Sequence, residues 1–258
     1  TLARIAYAKI DIKDFLKEDG VLIYDGDEPL LNERIGNLTT ETFGGLTTNT
    51  LYPTQVRAGE TSTTFKLNAW PELTFEIPMM GAYNVNNALI ALLIGQIFHI
   101  KPEVMQKALA NFEVTRNRTE WLVGAKGERL LSDVYNSNPT AAKEVLRNFS
   151  HFETQGKRIA VLGDMLELGT ASKKLHESLA DVLDPTEIQI VYLYGDEIQP
   201  LYQKLSNEYP QAQLHYYAKQ QQADLIADLT ANVQSDDLVV LKASHGLHLE
   251  QVVAALIA

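Results

Sequence analysis

Over the first 114 residues the spacing of hydrophobic positions changes several times. Residues 2–17 place Ile5, Ala8, Ile12, Phe15 and Leu16 near helical spacing, and Gly20 can stop that helix. Val21 to Tyr24 reads as a short buried strand that ends in Asp25-Gly-Asp-Glu-Pro29. From Phe43 to Phe75 a threonine-rich tract alternates with apolar residues and is broken by Gly44-Gly45, Pro53 and Gly59; this predicts antiparallel hairpins. After Gly81 the period returns to that of a helix. Ala82–His99 is expected to form one, and Lys101–Phe112 a second with Pro102 at its start.

Beyond residue 114 the pattern is different. Trp121–Val123 and Arg129–Leu131 look like paired strands around Gly124 and Gly127. Apolar strands at 158–162, 188–194 and 238–241 then alternate with helical segments near 171–183, 197–208, 220–233 and 247–257. Such alternation predicts an α/β fold with a doubly wound, mostly parallel sheet. Two domains are expected, 1–114 and 115–258.

Composition narrows the choices. The chain has 258 residues, 45% of them hydrophobic and 21% charged, with no cysteine, so disulfides and thiolate metal sites are excluded. A net charge of −11 argues against a basic nucleic-acid-binding face. No apolar run approaches the roughly 20 residues of a membrane helix, and the N-terminal stretch has no apolar signal-peptide core. It opens without Met in a helical pattern, which suggests a piece of a longer protein. Neither G-x-x-x-x-G-K-[ST] nor G-x-G-x-x-G occurs, so no phosphate loop is read within these residues.

Candidate chemistry gathers in a few turns. In Leu130-Leu-Ser-Asp-Val-Tyr-Asn-Ser-Asn-Pro139, an apolar strand enters a turn crowded with Asp133, Tyr135, Asn136 and Asn138. Pro139 then opens a helix for which Asn138 is a plausible cap. Carboxyl ends of parallel strands are where such sheets bind ligands. Asp133 can accept hydrogen bonds from ribose hydroxyls, or serve as a turn aspartate. Asn84 and Asn87 share a helix face, and carboxamides suit an adenine edge; a cap and a solvated asparagine fit the same spacing. Arg118 suits a phosphate or a surface ion pair with Glu120 or Glu113. Asp164 and Glu167 can touch substrate or shape a strand-end turn. Lys242 and Ser244 can bind a carboxylate, with Ser244 alternatively capping a helix. His176 reads as structural, and Lys9 as a lysine snorkelling from an apolar helix face.

Taken together, Gly81-Ala-Tyr-Asn-Val-Asn-Asn-Ala88, Asn117-Arg-Thr-Glu120, Asp133-Val-Tyr-Asn-Ser-Asn-Pro139, the 156–169 stretch with Gly-Asp-Met-Leu-Glu-Leu-Gly, and Lys242-Ala-Ser-His-Gly246 resemble the Mur ligases, in the order seen in that family. The resemblance spans the whole chain. It implies the rear of a central ATPase domain, built of helices and antiparallel hairpins, followed by a Rossmann-like C-terminal domain. The 135–139 and 163–169 turns look like those of the family member that acts last, joining D-alanyl-D-alanine to UDP-N-acetylmuramoyl-tripeptide with ATP and Mg²⁺. The Asp-Asn-Pro-Arg motif expected of a diaminopimelate-adding member is absent.

Carried over residue by residue, the resemblance implies adenine contact for Asn84 and Asn87. It implies phosphate contact for Arg118 and ribose contact for Asp133. Tyr135, Asn136 and Asn138 are expected at the reaction centre, with Arg118, Asn138 and Lys9 as its catalytic residues. Lys242 and Ser244 are expected beside the incoming dipeptide. Lys9 aligns with a lysine that is carbamylated in the family, which would make it an anionic oxygen ligand for Mg²⁺. Tyr83 stands where the family often has His. The implied protein is cytoplasmic, bacterial and monomeric, without nucleic-acid or membrane partners, and this stretch alone is expected to be inactive. Another superfamily ligase, such as a folylpolyglutamate synthetase-like enzyme, and a non-catalytic binding module remain as alternatives.

Overall fold

The computed structural model describes residues 2–114 and 117–258. The chain divides into two compact units, Thr1–Glu113 and Val114–Ala258. Residue 115, at which the expected second domain opens, lies outside the described residues.

In the first unit, helix α1 (Leu2–Ile10) tightens into a 3₁₀ turn over Asp11–Phe15. The buried positions are Ala6 and Ile10, whereas Ile5, Ile12 and Phe15 are exposed, Phe15 at 84%. The expected apolar face is therefore not the packed one. Ile10 instead packs with Leu22 and Ile35. Strand β1 (Leu22–Asp25) leads to α2 (Pro29–Asn32) and β2 (Thr40–Phe43), which pairs parallel with β1, Leu22 opposite Thr40 and Asp25 opposite Phe43. This overturns the start of the expected hairpin tract: Phe43 closes a parallel strand.

Downstream of it the hairpins do form. Strands β3 (Pro53–Ala58), β4 (Thr63–Leu67) and β5 (Phe75–Ile77) make a three-stranded antiparallel sheet. In β4, Thr63, Phe65 and Leu67 are buried while Thr64 and Lys66 are half-buried, the period of two that a pleated strand imposes. Phe65 stacks on Phe75 at 5.8 Å, and this face packs with Leu89, Leu92 and Leu93 of α3 (Val85–Ile97). Helix α4 (Pro102–Ala110) opens with Pro102 at its first position, where the missing N–H has no intrahelical partner to lose.

The second unit holds β6 (Glu120–Val123), β7 (Arg129–Asp133), α5 (Pro139–Phe149), β8 (Arg158–Gly163), α6 (Ser172–Glu177), β9 (Ile190–Tyr194), α7 (Gln199–Leu205), β10 (Leu214–Tyr217), α8 (Gln222–Asn232), β11 (Leu238–Lys242) and α9 (Glu250–Ile257). The sheet order is β10-β9-β8-β11-β7-β6, parallel throughout except for the antiparallel β6–β7 edge. Every residue of β11 is buried, as both faces of a parallel sheet are covered by helices. Helix α5 buries Ala142, Val145, Leu146 and Phe149, a stripe at helical spacing. Strand β10 was not expected from the sequence; its Leu-His-Tyr-Tyr carries no continuous apolar run, as suits a sheet edge.

Because β8, β11 and β7 are adjacent and parallel, the turns following them emerge together at one carboxyl edge. The register sets Lys242 opposite Asp133 on one side and Leu162 on the other.

Candidate functional site

In the first unit, Gly81 at φ 88° begins a 3₁₀ turn that feeds α3. The Tyr83 ring folds over it, and a Cβ on Gly81 would lie 2.4 Å from that ring. The turn aims Asn84 inward: it is buried, and its Nδ2 donates to Met80 O at 2.8 Å. One helical turn on, exposed Asn87 donates from Nδ2 to Asn84 Oδ1 at 3.4 Å. Both border a cavity of about 310 Å³ walled by Ile77, Met79, Ala88, Ala91, Leu109 and Phe112. Apolar walls with two carboxamides at the rim can take a flat heteroaromatic ring, with donors and acceptors left for its edge. The helical spacing of the asparagines was readable in the sequence. Their apolar partners were not, because Met79, Leu109 and Phe112 carry the same signal as core.

In the second unit, Asp133 and Lys242 are both buried, Lys242 to 2% exposure. Lys242 Nζ donates to Asp133 Oδ2 at 2.5 Å and to Asn136 O at 3.0 Å. Asp133 Oδ1 accepts from Thr119 N–H at 3.3 Å. Register explains the pair: opposed positions on neighbouring strands send their side chains to the same face. Lys242 thus points at the aspartate and clamps the 134–138 turn, so the carboxylate it binds here is the chain's own. Ser244 stands at the N-cap position of the short 3₁₀ turn His245–Leu247. Its hydroxyl makes no capping bond but accepts from Leu166 N–H at 2.9 Å, tying the loop after β11 to the turn after β8.

Asn138 is the cap of α5, accepting from Ala141 N–H at 2.9 Å through Oδ1. Tyr135 and Asn136 are exposed on the same turn. The Arg118 guanidinium lies 4.5 Å from the centre of the Tyr135 ring, and Glu120 is engaged by the Asn117 N–H at 2.9 Å. The surface ion pair of Arg118 with Glu120, open on sequence grounds, gives way to a cation–π contact.

The 163–169 turn resolves in favour of structure for Asp164. Its buried carboxylate accepts from Asp196 N–H at 3.1 Å and Ile198 N–H at 2.8 Å. Burial pushes the carboxyl upward, against the pull of the 196–198 amides and of His176. Gly195 at φ 123° lets that turn close down, since a Cβ there would sit 2.3 Å from the carboxylate carbon. His176, fully buried, accepts Met165 N–H at Nε2 and, with its proton on Nδ1, donates to Ser172 O, both at 2.9 Å. Glu167 is exposed and left-handed at φ 66°.

Lys9 is exposed in the last turn of α1. As an unmodified ammonium it repels a cation, and among the described residues no group of three His, Asp or Glu side chains could hold a metal ion. The described donor set does not fit Mg²⁺ as it stands. Among the described residues no helix is long and apolar enough to cross a membrane.

The fold and these two clusters define the class: a two-unit α/β protein with polar turns at the carboxyl edge of a doubly wound sheet, where such sheets take ligands. The family models agree. The Mur ligase middle domain matches residues 1–95, and the Mur ligase, glutamate ligase domain, matches residues 117–245. The chain belongs to the Mur ligase family. It is 36% identical over 253 residues to the UDP-N-acetylmuramoyl-tripeptide--D-alanyl-D-alanine ligase of Bacillus subtilis (strain 168), covering 98% of this chain and 54% of that protein. It is 29% identical over 206 residues to the Escherichia coli (strain K12) enzyme of the same name, covering 76% and 44%. The chain spans about half the length of the curated relatives it matches. Among solved structures, MurF from Acinetobacter baumannii superposes with a TM-score of 0.81 at 21% identity, over 98% of this chain and 55% of that one. MurF from Thermotoga maritima in complex with ADP gives 0.78 at 22%, over 99% and 57%.

Proposed function

We propose that this chain is the ATP-handling rear half of a ligase that adds D-alanyl-D-alanine to UDP-N-acetylmuramoyl-tripeptide in peptidoglycan precursor synthesis. The observation that carries the reading is the apolar cavity rimmed by Asn84 and Asn87, which has the size and polarity an adenine ring requires. The names of the relatives supply the substrates, and the ADP in the Thermotoga structure supplies the nucleotide class.

In the reaction so assigned, a carboxylate oxygen of the tripeptide takes the γ-phosphoryl group of ATP, giving an acyl phosphate and ADP. The dipeptide amine attacks the acyl carbon, and the tetrahedral intermediate expels phosphate while the nitrogen loses a proton. Catalysis of this kind is chiefly positioning and charge neutralisation. Asn84 and Asn87 seat the base. Asp133, oriented by Lys242 and Thr119, accepts from ribose hydroxyls with the lone pairs those contacts leave. Arg118 offers a guanidinium to phosphate oxygens. Asn136 and Tyr135 are exposed on the turn that follows Asp133, where the resemblance implies the reaction centre. A cytoplasmic location belongs to the same reading.

No glycine-rich lysine loop lies within residues 1–258, so turnover by this stretch alone is not expected. The test is phosphate release by the whole protein with the tripeptide substrate and a panel of amines. Stimulation by D-alanyl-D-alanine and not by glutamate is expected. Stimulation by glutamate instead would favour the folylpolyglutamate-type alternative.

A further inference from the structure

Three loops of the second unit meet in an exposed stack. The Arg118 guanidinium lies 4.5 Å from the Tyr135 ring centre, and the Tyr135 and His245 rings stack at 5.5 Å with 21° between their planes. Tyr135 is also tied to the arginine's own segment, its N–H donating to Asn117 O at 3.2 Å. His245 meets His248 edge-on at 5.8 Å, and its Nδ1 lies 4.0 Å from Glu250 Oε2. That oxygen is buried without a hydrogen-bond partner among the described residues, whereas Glu250 Oε1 is 2.9 Å from His248 Nδ1. The stack therefore runs from Arg118 through Tyr135 to a histidine pair anchored at the start of α9.

An exposed arginine samples many rotamers, and a phosphate that recruits it must first hold it still. A ring beneath the guanidinium restricts it in advance while leaving its N–H fork free. We propose that Tyr135 and His245 are positioning residues that hold the Arg118 guanidinium ready for a phosphate, His245 acting through Tyr135. The inference rests on the reading that Arg118 meets the nucleotide phosphates. It gives Tyr135 a support role and a function to His245, to which the motif Lys242-Ala-Ser-His-Gly246 assigned none.

The test combines a spectrum and a titration on the chain. In the NMR spectrum the Arg118 Nε–Hε proton, assigned by its loss in Arg118→Lys, is expected upfield, shielded by Tyr135. It should move toward the free-arginine position in Tyr135→Ala and in His245→Ala, and stay in His245→Phe, which keeps a flat ring. Inorganic pyrophosphate is then titrated. His245→Ala is expected to weaken binding about two- to fivefold, the scale of one exposed cation–π contact. His245→Phe should restore it, and the effect should vanish in an Arg118→Ala background. An unmoved Arg118 proton, unchanged affinity in His245→Ala, or a loss that persists without Arg118 would overturn the inference alone. Unchanged pyrophosphate affinity in Arg118→Ala would overturn the phosphate reading and the inference with it.

Discussion

Replacing Lys242 by Met tests whether the edge of the second unit is built around a charge pair. The Lys242 side chain is 2% exposed, and its ammonium holds two acceptors, Asp133 Oδ2 at 2.5 Å and Asn136 O at 3.0 Å. Methionine matches the stem of the side chain, so little packing is lost. Asp133 is left buried with one backbone donor at 3.3 Å, from Thr119. Removing one partner of a buried pair costs about 3–5 kcal/mol, because the remaining charge is desolvated and unpaired. At roughly 2 cal/mol/K of unfolding entropy per residue, a unit of about 145 residues loses about 10–16 °C of melting temperature. The chain has two tryptophans, Trp70 in the first unit and Trp121 in the second, so a Trp70→Phe background leaves Trp121 as reporter for the second unit. Urea unfolding followed by Trp121 fluorescence reads the loss. Asp133→Asn combined with Lys242→Met should recover part of it, since the unpaired charge is gone. A single variant within about 0.5 kcal/mol of the parent, or a double variant whose losses simply add, would show that the charge pair does not hold this edge together.

The extent to which this edge was legible in advance follows from what sequence spacing can carry. The apolar runs of β8 and β11 and the stripe of α5 announce themselves, because burial on both faces or on one face leaves a period. The polar turn after β7 stood out for its density of side-chain donors. That Lys242 answers Asp133 did not: it is a matter of strand register between positions 109 apart. Asp164 likewise looked like a candidate for substrate until the 196–198 amides were seen to fill its oxygens. In α1 and the 3₁₀ turn after it the period misled, since Ile5, Ile12 and Phe15 carry the same pattern as core residues and are exposed. The Asn84–Asn87 face was legible from three-residue spacing. The wall opposite, with Leu109 and Phe112, needed the tertiary fold.

Further outcomes follow from the same geometry. Asn138→Ala should cost about 1 kcal/mol of second-unit stability by loss of the cap, and Asn138→Asp should restore it; chemical denaturation of both variants checks this. His176→Ala strands the Met165 N–H and should cost about 1–3 kcal/mol beyond the cavity it leaves, read in the same assay against His176→Gln. Burial pushes the hydroxyls of Tyr192, Tyr209 and Tyr217 upward, with Asp228 adding to the shift of Tyr192 and Tyr217. Groups raised in the folded state give stability that is present below the ordinary tyrosine value of about 10 and lost as pH climbs through the folded value. Ultraviolet titration should therefore show these three of the 11 tyrosines ionising together with unfolding, rather than in a smooth early phase.

Whether the Asn84–Asn87 cavity receives adenine is read from carboxamide and methyl NMR spectra during parallel titrations with ADP and CDP. ADP is expected to shift the Asn84 and Asn87 side-chain amides and the Ala88 and Ala91 methyl groups, CDP is expected to leave them in place, and Asn87→Ala should weaken ADP alone. Shifts from both nucleotides alike, or from ADP only at residues outside the cavity, would rule out adenine binding there.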